Sequence, residues 1–144
     1  MKKTINSIKL EIDAQSCNES FARTTVAAFA AQLDPTMDEI NDLKTAVSEA
    51  VTNCVVHSNT KKILVECTLW EEAKKRGISV SVTDFGSGIA NIEKALEPFY
   101  TTKPDEERSG MGFTVMQSFM DSLRVVNGAD CGTIVTMTKT FAAG

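Results

Sequence analysis

The sequence predicts an α+β domain, with helices covering one face of a mostly antiparallel sheet. Three observations predict it: two successive stretches of helical apolar spacing, a pair of alternating strands, and a glycine-opened helix followed by two more strands. The predicted order is strand, two helices, two strands, a short helix with a long loop, helix, two strands.

Residues 4–12 alternate through Ile5, Ile8, Leu10 and Ile12 and read as the first strand. Asn18 offers a cap to a helix whose apolar positions are Phe21, Thr25, Val26, Phe29, Ala30 and Leu33. That helix ends at Leu33-Asp34-Pro35-Thr36, and Thr36 with Glu39 forms a capping box that starts the second. The second helix runs through Met37, Ile40, Leu43, Val47, Ala50, Val51 and Cys54. Ile63, Val65, Cys67 and Leu69 then face one way, and Ile78, Val80 and Val82 alternate against Ser79, Ser81 and Thr83 across a charged turn ending at Gly77. A short helix is expected over 91–96 and a polar loop over 98–109. Gly110-Met111-Gly112 opens the next helix, with Phe113, Val115, Met116, Phe119 and Met120, and strands near 123–126 and 133–138 are joined by an Asn127-Gly128 turn.

With 144 residues, 42% hydrophobic and 24% charged, the chain reads as one domain spanning 1–144. A net charge of -4 and the lack of a basic stripe argue against affinity built on nucleic-acid phosphates. Cys17, Cys54, Cys67 and Cys131 are scattered and there is one histidine, so buried free thiols in a reducing cytoplasm are expected rather than a metal centre. Asn6, Lys9 and Glu11 interrupt any leader-like apolar run, and no segment reaches membrane-spanning length. A soluble cytoplasmic protein is the expectation.

Glu49, Asn53 and His57 fall at i, i+4, i+8 on the second helix, in one stripe away from its apolar positions. Such a stripe alone is also the wet face of any amphipathic helix. Asp84-Phe85-Gly86-Ser87-Gly88 continues the strand in which Ile78, Val80 and Val82 alternate, so Asp84 points to the core side. A carboxylate there needs donors to offset desolvation, and an adenine amine is one; an aspartate capping the next turn reads equally well. Gly86 and Gly88 permit a sharp turn and close approach to a flat ligand. Arg108-Ser109-Gly110-Met111-Gly112 precedes a helix whose free amides and dipole favour phosphate, with Arg108 able to pair a terminal phosphate. A lone Gly-x-Gly is weak evidence, and Gly132-Thr133 weaker. Asp84-Phe85-Gly86 is not the metal-binding tripeptide of eukaryotic-type kinases, because the catalytic loop and glycine-rich lid of that fold are missing; a Walker loop is missing too.

In this order, Glu49-x-x-x-Asn53-x-x-x-His57, Asp84-x-Gly86-x-Gly88, Gly110-x-Gly112 and Gly132-Thr133 resemble the ATP site of the Bergerat-type superfamily, which includes gyrase, the heat-shock chaperone, sensor histidine kinases and mismatch-repair ATPases. Within it, Glu19-Ser20-Phe21-Ala22-Arg23, Leu33-Asp34-Pro35-Thr36-Met37-Asp38-Glu39, Ser48-Glu49-Ala50-Val51-Thr52-Asn53 and Thr101-Thr102-Lys103-Pro104 through Phe113 resemble the anti-sigma F factors over nearly the whole chain. Two departures stand out: Ser58-Asn59-Thr60 replaces a glycine and a longer acidic loop, and Phe85 replaces a residue that is commonly acidic.

The resemblance implies a Bergerat-type two-layer sandwich with a mostly antiparallel mixed sheet. It implies a homodimer that binds a sporulation sigma factor and phosphorylates a serine of an anti-anti-sigma protein, using ATP and Mg²⁺ and leaving ADP. By matching positions, Glu49 would accept the proton of the attacking hydroxyl, Asn53 would hold Mg²⁺ and Asp84 the adenine. Arg108, Gly110, Met111 and Gly112 would meet the phosphates, with Thr101, Thr102 and Lys103 in a lid. His57, Gly86, Gly88 and Thr133 would complete the nucleotide wall, and Arg23 would contact the protein partners. A nucleotide-dependent sigma-sequestering module without kinase activity, and a general stress-response anti-sigma kinase, are the alternatives. A sensor histidine kinase fits less well, since no second histidine is present to accept phosphate.

Overall fold

A computed structural model describes residues 1–57, 60–86, 112–128 and 132–142. Its elements are β1 (Lys3–Asp13), α1 (Cys17–Ala30) with a 3₁₀ turn (Ala31–Leu33), α2 (Met37–His57), β2 (Lys62–Glu72), β3 (Lys75–Asp84), α3 (Gly112–Phe119), β4 (Ser122–Asn127) and β5 (Thr133–Phe141). The helix expected over 91–96 and the loop over 98–109 lie outside the described residues.

The strands form a five-stranded sheet in the order β1-β2-β3-β5-β4. Every pairing among the described strands is antiparallel. Helices α1 and α2 pack together and α3 packs on α2, so one sheet face is covered and the α+β sandwich is realised. The core follows the period of each element: Ile63, Val65, Cys67 and Leu69 of β2, Ile78, Val80 and Val82 of β3, and Val135 and Met137 of β5 are buried under Leu43, Ala46, Val47, Ala50 and Val51 of α2. The opposite face is polar; there Ser81 Oγ and Thr136 Oγ1 lie 3.1 Å apart across β3 and β5.

The capping box forms as expected. The Thr36 amide donates to Glu39 Oε1 at 2.8 Å, and the Glu39 amide donates to Thr36 Oγ1 at 3.1 Å. Partial burial pushes the Glu39 carboxyl upward. Hydrogen bonds from the Thr36 and Ala142 amides and the Thr36 hydroxyl, with the charge of Lys139, outweigh it and leave its pKa below the ordinary value. The stabilisation tied to that ionised carboxylate is present at neutral pH and is lost as pH falls through the lowered pKa. Thr36→Ala removes one half of the box and is expected to cost about 1 kcal/mol, a fall of about 3 °C in the thermal unfolding midpoint.

Several local expectations differ from the structure. Helix α1 starts at Cys17 with Ser16 before it, while Asn18 sits inside the helix and donates its side-chain amide to the Asp13 carbonyl at 2.9 Å. Phe21 is 57% exposed because the buried stripe of α1 runs through Ala22, Val26, Phe29 and Ala30, one residue further round. Met37, in the first turn of α2, is 74% exposed, and Ile5, at an irregularity in β1 between Thr4 and Asn6, is 43% exposed. The charged turn ends three residues early: Glu72 pairs with Lys75, leaving Ala73 and Lys74 as the loop, with Ala73 at φ 55°. Gly77 instead belongs to β3, where a Cβ would come within 2.5 Å of the Trp70 ring. Asn127 pairs with Thr133, so the β4 to β5 connection spans 128–132 and is not a tight Asn-Gly turn.

Candidate functional site

Asp84 is the last residue of β3, and the alternation of that strand turns it to the helix side, where it is 4% exposed. Three neighbouring backbone groups fix it. Its Oδ1 accepts from the Gly86 amide at 3.0 Å and from the Thr133 amide at 3.2 Å. Its carbonyl accepts from the Gly132 amide at 3.0 Å. Burial pushes the carboxyl's pKa up, and the two amides only partly hold it down. Both of these side-chain hydrogen bonds fall on Oδ1.

The glycine of Gly132-Thr133 is required by this contact. A Cβ at Gly132 would collide with Asp84 Oδ1 and lie 2.8 Å from the Gly86 amide nitrogen. On the other side, Thr60 Oγ1 accepts from the Phe85 amide at 3.0 Å and donates to the Lys62 carbonyl at 2.7 Å, which ties the strand end to the start of β2. No motif singles out Thr60, which is marked only by its place in the shortened loop after α2.

Helix α2 supplies the wall next to Asp84. Cys54 is buried there, and burial together with the negative charge of Asp84 pushes its thiol far up, so it stays protonated and inert. Cys67, buried in β2, is pushed up to about 12 by desolvation. Among the described residues Cys17, Cys54 and Cys67 form no disulfide; Cys54 and Cys67 are buried as expected, whereas Cys17, at the start of α1, is exposed, and Cys131 lies outside the described residues. Asn53 precedes Cys54 and is half-buried, one turn after Glu49. Glu49 lines a polar cleft of about 450 Å³ between α1 and α2, together with Arg23, Asn41, Lys44, Thr45 and Ser48. Arg23 is 40% exposed and lies 3.4 Å from Glu19 on the same helix.

The structure thus gathers Asp84, Gly86, Gly132 and Thr133 at one sheet end beside Cys54, and Arg23 with Glu49 in the cleft along the same helix. Gly112 is the first residue of α3. The side chain of His57, and Gly88, Thr101, Thr102, Lys103, Arg108, Gly110 and Met111, lie outside the described residues. No group of three His, Cys, Asp or Glu able to hold a metal ion is found among the described residues. Nor is any described helix long and apolar enough to cross a membrane.

A helix-covered antiparallel sheet ends, at β3, in a buried aspartate cradled by a Gly-Thr pair. Residues 13–139 match the histidine kinase-like ATPase domain. An anti-sigma F factor of Thermoanaerobacter pseudethanolicus is 55% identical over 134 residues, covering 93% of both chains. One from Clostridium acetobutylicum is 52% identical over 139 residues, covering 95% of both. In fold, the chain resembles a solved Mycobacterium tuberculosis chain comprising RsbU and RsbW domains, with a TM-score of 0.63 at 18% identity, over 96% of this chain and 34% of that one. The chain belongs to the histidine kinase-like ATPase family and, within it, to the anti-sigma F factors. That domain is a nucleotide-binding one of kinase-like type.

Gly132→Ala follows from the cradle as a sharp test of it. The added methyl must displace the Asp84 carboxylate or the Gly86 backbone, and overpacking of this kind costs about 1–3 kcal/mol. Calorimetry is expected to show ATP affinity reduced about tenfold or more, with a lower unfolding midpoint.

Proposed function

We propose that the chain is an ATP-dependent protein-serine kinase that also binds and inhibits a sporulation sigma factor, its phosphoacceptor being a serine of an anti-anti-sigma protein. The observation that carries the reading is the placement of α2. On one side Cys54 lies against the adenine-side carboxylate Asp84, and on the other Glu49 opens into a solvent-accessible cleft shared with Arg23. A protein partner held through Arg23 can then bring a hydroxyl to Glu49 while the nucleotide is held from the Asp84 side.

The residues present fit an adenine nucleotide, since the buried carboxylate of Asp84 at the sheet end is an acceptor suited to an exocyclic amine. They also fit Mg²⁺, which binds through one or two protein oxygens plus substrate phosphates rather than in an all-protein cage. Asn53 would supply its amide oxygen to that ion, and the ion would neutralise phosphate charge when bound. His57, Gly86, Gly88 and Thr133 would complete the nucleotide wall. Arg108, Gly110, Met111 and Gly112 would hold the phosphates, with Thr101, Thr102 and Lys103 covering them. Glu49 would accept the proton of the serine hydroxyl, in a reaction where positioning and charge neutralisation carry most of the catalysis. The active form would be a cytoplasmic homodimer of this one domain.

The test is incubation of the purified chain with labelled ATP, Mg²⁺ and the cognate anti-anti-sigma protein. Label on a serine of the cognate anti-anti-sigma protein is the expected result. Nucleotide-dependent sigma binding without any transfer would replace the kinase with a sequestering module.

A further inference from the structure

Lys139 is a lysine on the covered face of the sheet, in line with Val135, Met137 and Phe141, and only 8% of it is exposed. A charge so placed needs partners, and it has them on two helices. Its Nζ donates to the carbonyl of Phe119, the last residue of α3, at 2.8 Å, and lies 3.6 Å from Asp42 Oδ2 of α2. Glu39, also on α2, feels its charge and accepts from the Ala142 amide at 2.7 Å. Asp121, just past α3, donates its amide to the Thr138 carbonyl at 2.9 Å and accepts from the Thr140 amide at 2.6 Å. The end of β5 therefore fastens the last turn of α3 and the first turns of α2 to one point.

From this geometry we infer that Lys139 is a positioning residue for nucleotide phosphates. The inference rests on the nucleotide reading above, in which the amides that open α3 at Gly112 meet the phosphates. Helix α3 has only eight residues and packs on α2, so it behaves as one short rod. Lys139 satisfies a carbonyl that the helix itself leaves without a partner, and it places a cation at the negative end of the helix dipole. Releasing that end lets the rod pivot against α2 and moves its opposite end, at Gly112, away from where it would meet the phosphates. Asp84 and its Gly132-Thr133 cradle lie at the other end of β5 and make no contact with Lys139 among the described residues. Phosphate binding should therefore suffer while adenine binding does not.

The test compares wild type, Lys139→Met and Asp42→Asn, full chain in each case, for affinity to Mg-ATP by calorimetry and to adenosine by NMR titration. Lys139→Met is expected to weaken ATP about tenfold, the loss of one or two phosphate contacts, with adenosine unchanged. Asp42→Asn, which keeps the lysine but removes its counter-charge, is expected to move the same ratio in the same direction by a smaller factor. Asp42 is partly exposed, so it carries the test if Lys139→Met fails to fold. Equal weakening of both ligands, the mark of general loosening, overturns the inference, as does no change in either. A wild-type chain that takes up neither ligand overturns the nucleotide reading and this inference together, whereas normal wild-type binding with an unchanged ratio in the variants overturns the inference alone.

Discussion

Asp84→Asn is expected to weaken ATP about a hundredfold while leaving the protein at least as stable as wild type. The two effects have opposite signs for one reason. Asparagine keeps a carbonyl oxygen that can accept from the Gly86 and Thr133 amides, so the cradle survives. It also removes a buried negative charge whose desolvation raises the carboxyl's pKa. At the Oδ2 position, however, the variant presents an N–H to the adenine amine, and two donors face each other. The wild type has a matching pH dependence. A raised pKa means that protonated Asp84 favours the fold, so its contribution to stability is present below the ordinary aspartate pKa and lost as pH rises through the raised one. Nucleotide binding needs the ionised form and runs the other way, weakening as pH falls through that raised value. Calorimetric titration and thermal unfolding of both proteins, across mildly acidic to neutral pH, check both signs.

Glu49→Gln is the second large effect, and it should separate transfer from binding. Glutamine has nearly the same shape and can still line the cleft with Arg23, Lys44 and Ser48, but it cannot take a proton. Loss of a positioned general base lowers the rate about 10²- to 10⁴-fold. Single-turnover transfer to the serine of the anti-anti-sigma protein is expected to fall by that factor, with ATP affinity within about twofold of wild type. Undiminished transfer would remove Glu49 from the chemistry and leave it a surface carboxylate of the cleft.

The parts of this fold that are legible in the sequence are those whose cause is local. The capping box at Thr36 and Glu39 is such a case, and so is the alternation that turns Ile78, Val80, Val82 and finally Asp84 to the covered face. Where period alone cannot fix the phase, the expectation slips by a residue: helical spacing puts Phe21 in the core of α1, yet Ala22 occupies that place. Met37 and Ile5 fail similarly, since each lies where its element begins or is irregular and the neighbours no longer cover it. The site is harder, because its contacts join distant parts of the chain. Thr133 reaches Asp84 across 49 residues of sequence, and only the pairing of β3 with β5 brings Gly132 so near that no side chain fits. For that reason Gly132-Thr133 reads as the weakest of the motifs, yet both of its amides donate to Asp84. Lys139 carried no signal at all, since a lysine in a strand ordinarily faces water.

The claim on which the rest depends is that α2 around Asn53 and the sheet end around Asp84 are walls of one nucleotide pocket. An amide-resolved NMR titration of the isotope-labelled protein with Mg-ADP tests it most directly. The amides of Asn53, Asp84, Gly86 and Thr133 are expected to shift together along one binding curve. Saturable binding that moves other amides and leaves these four in place would contradict it.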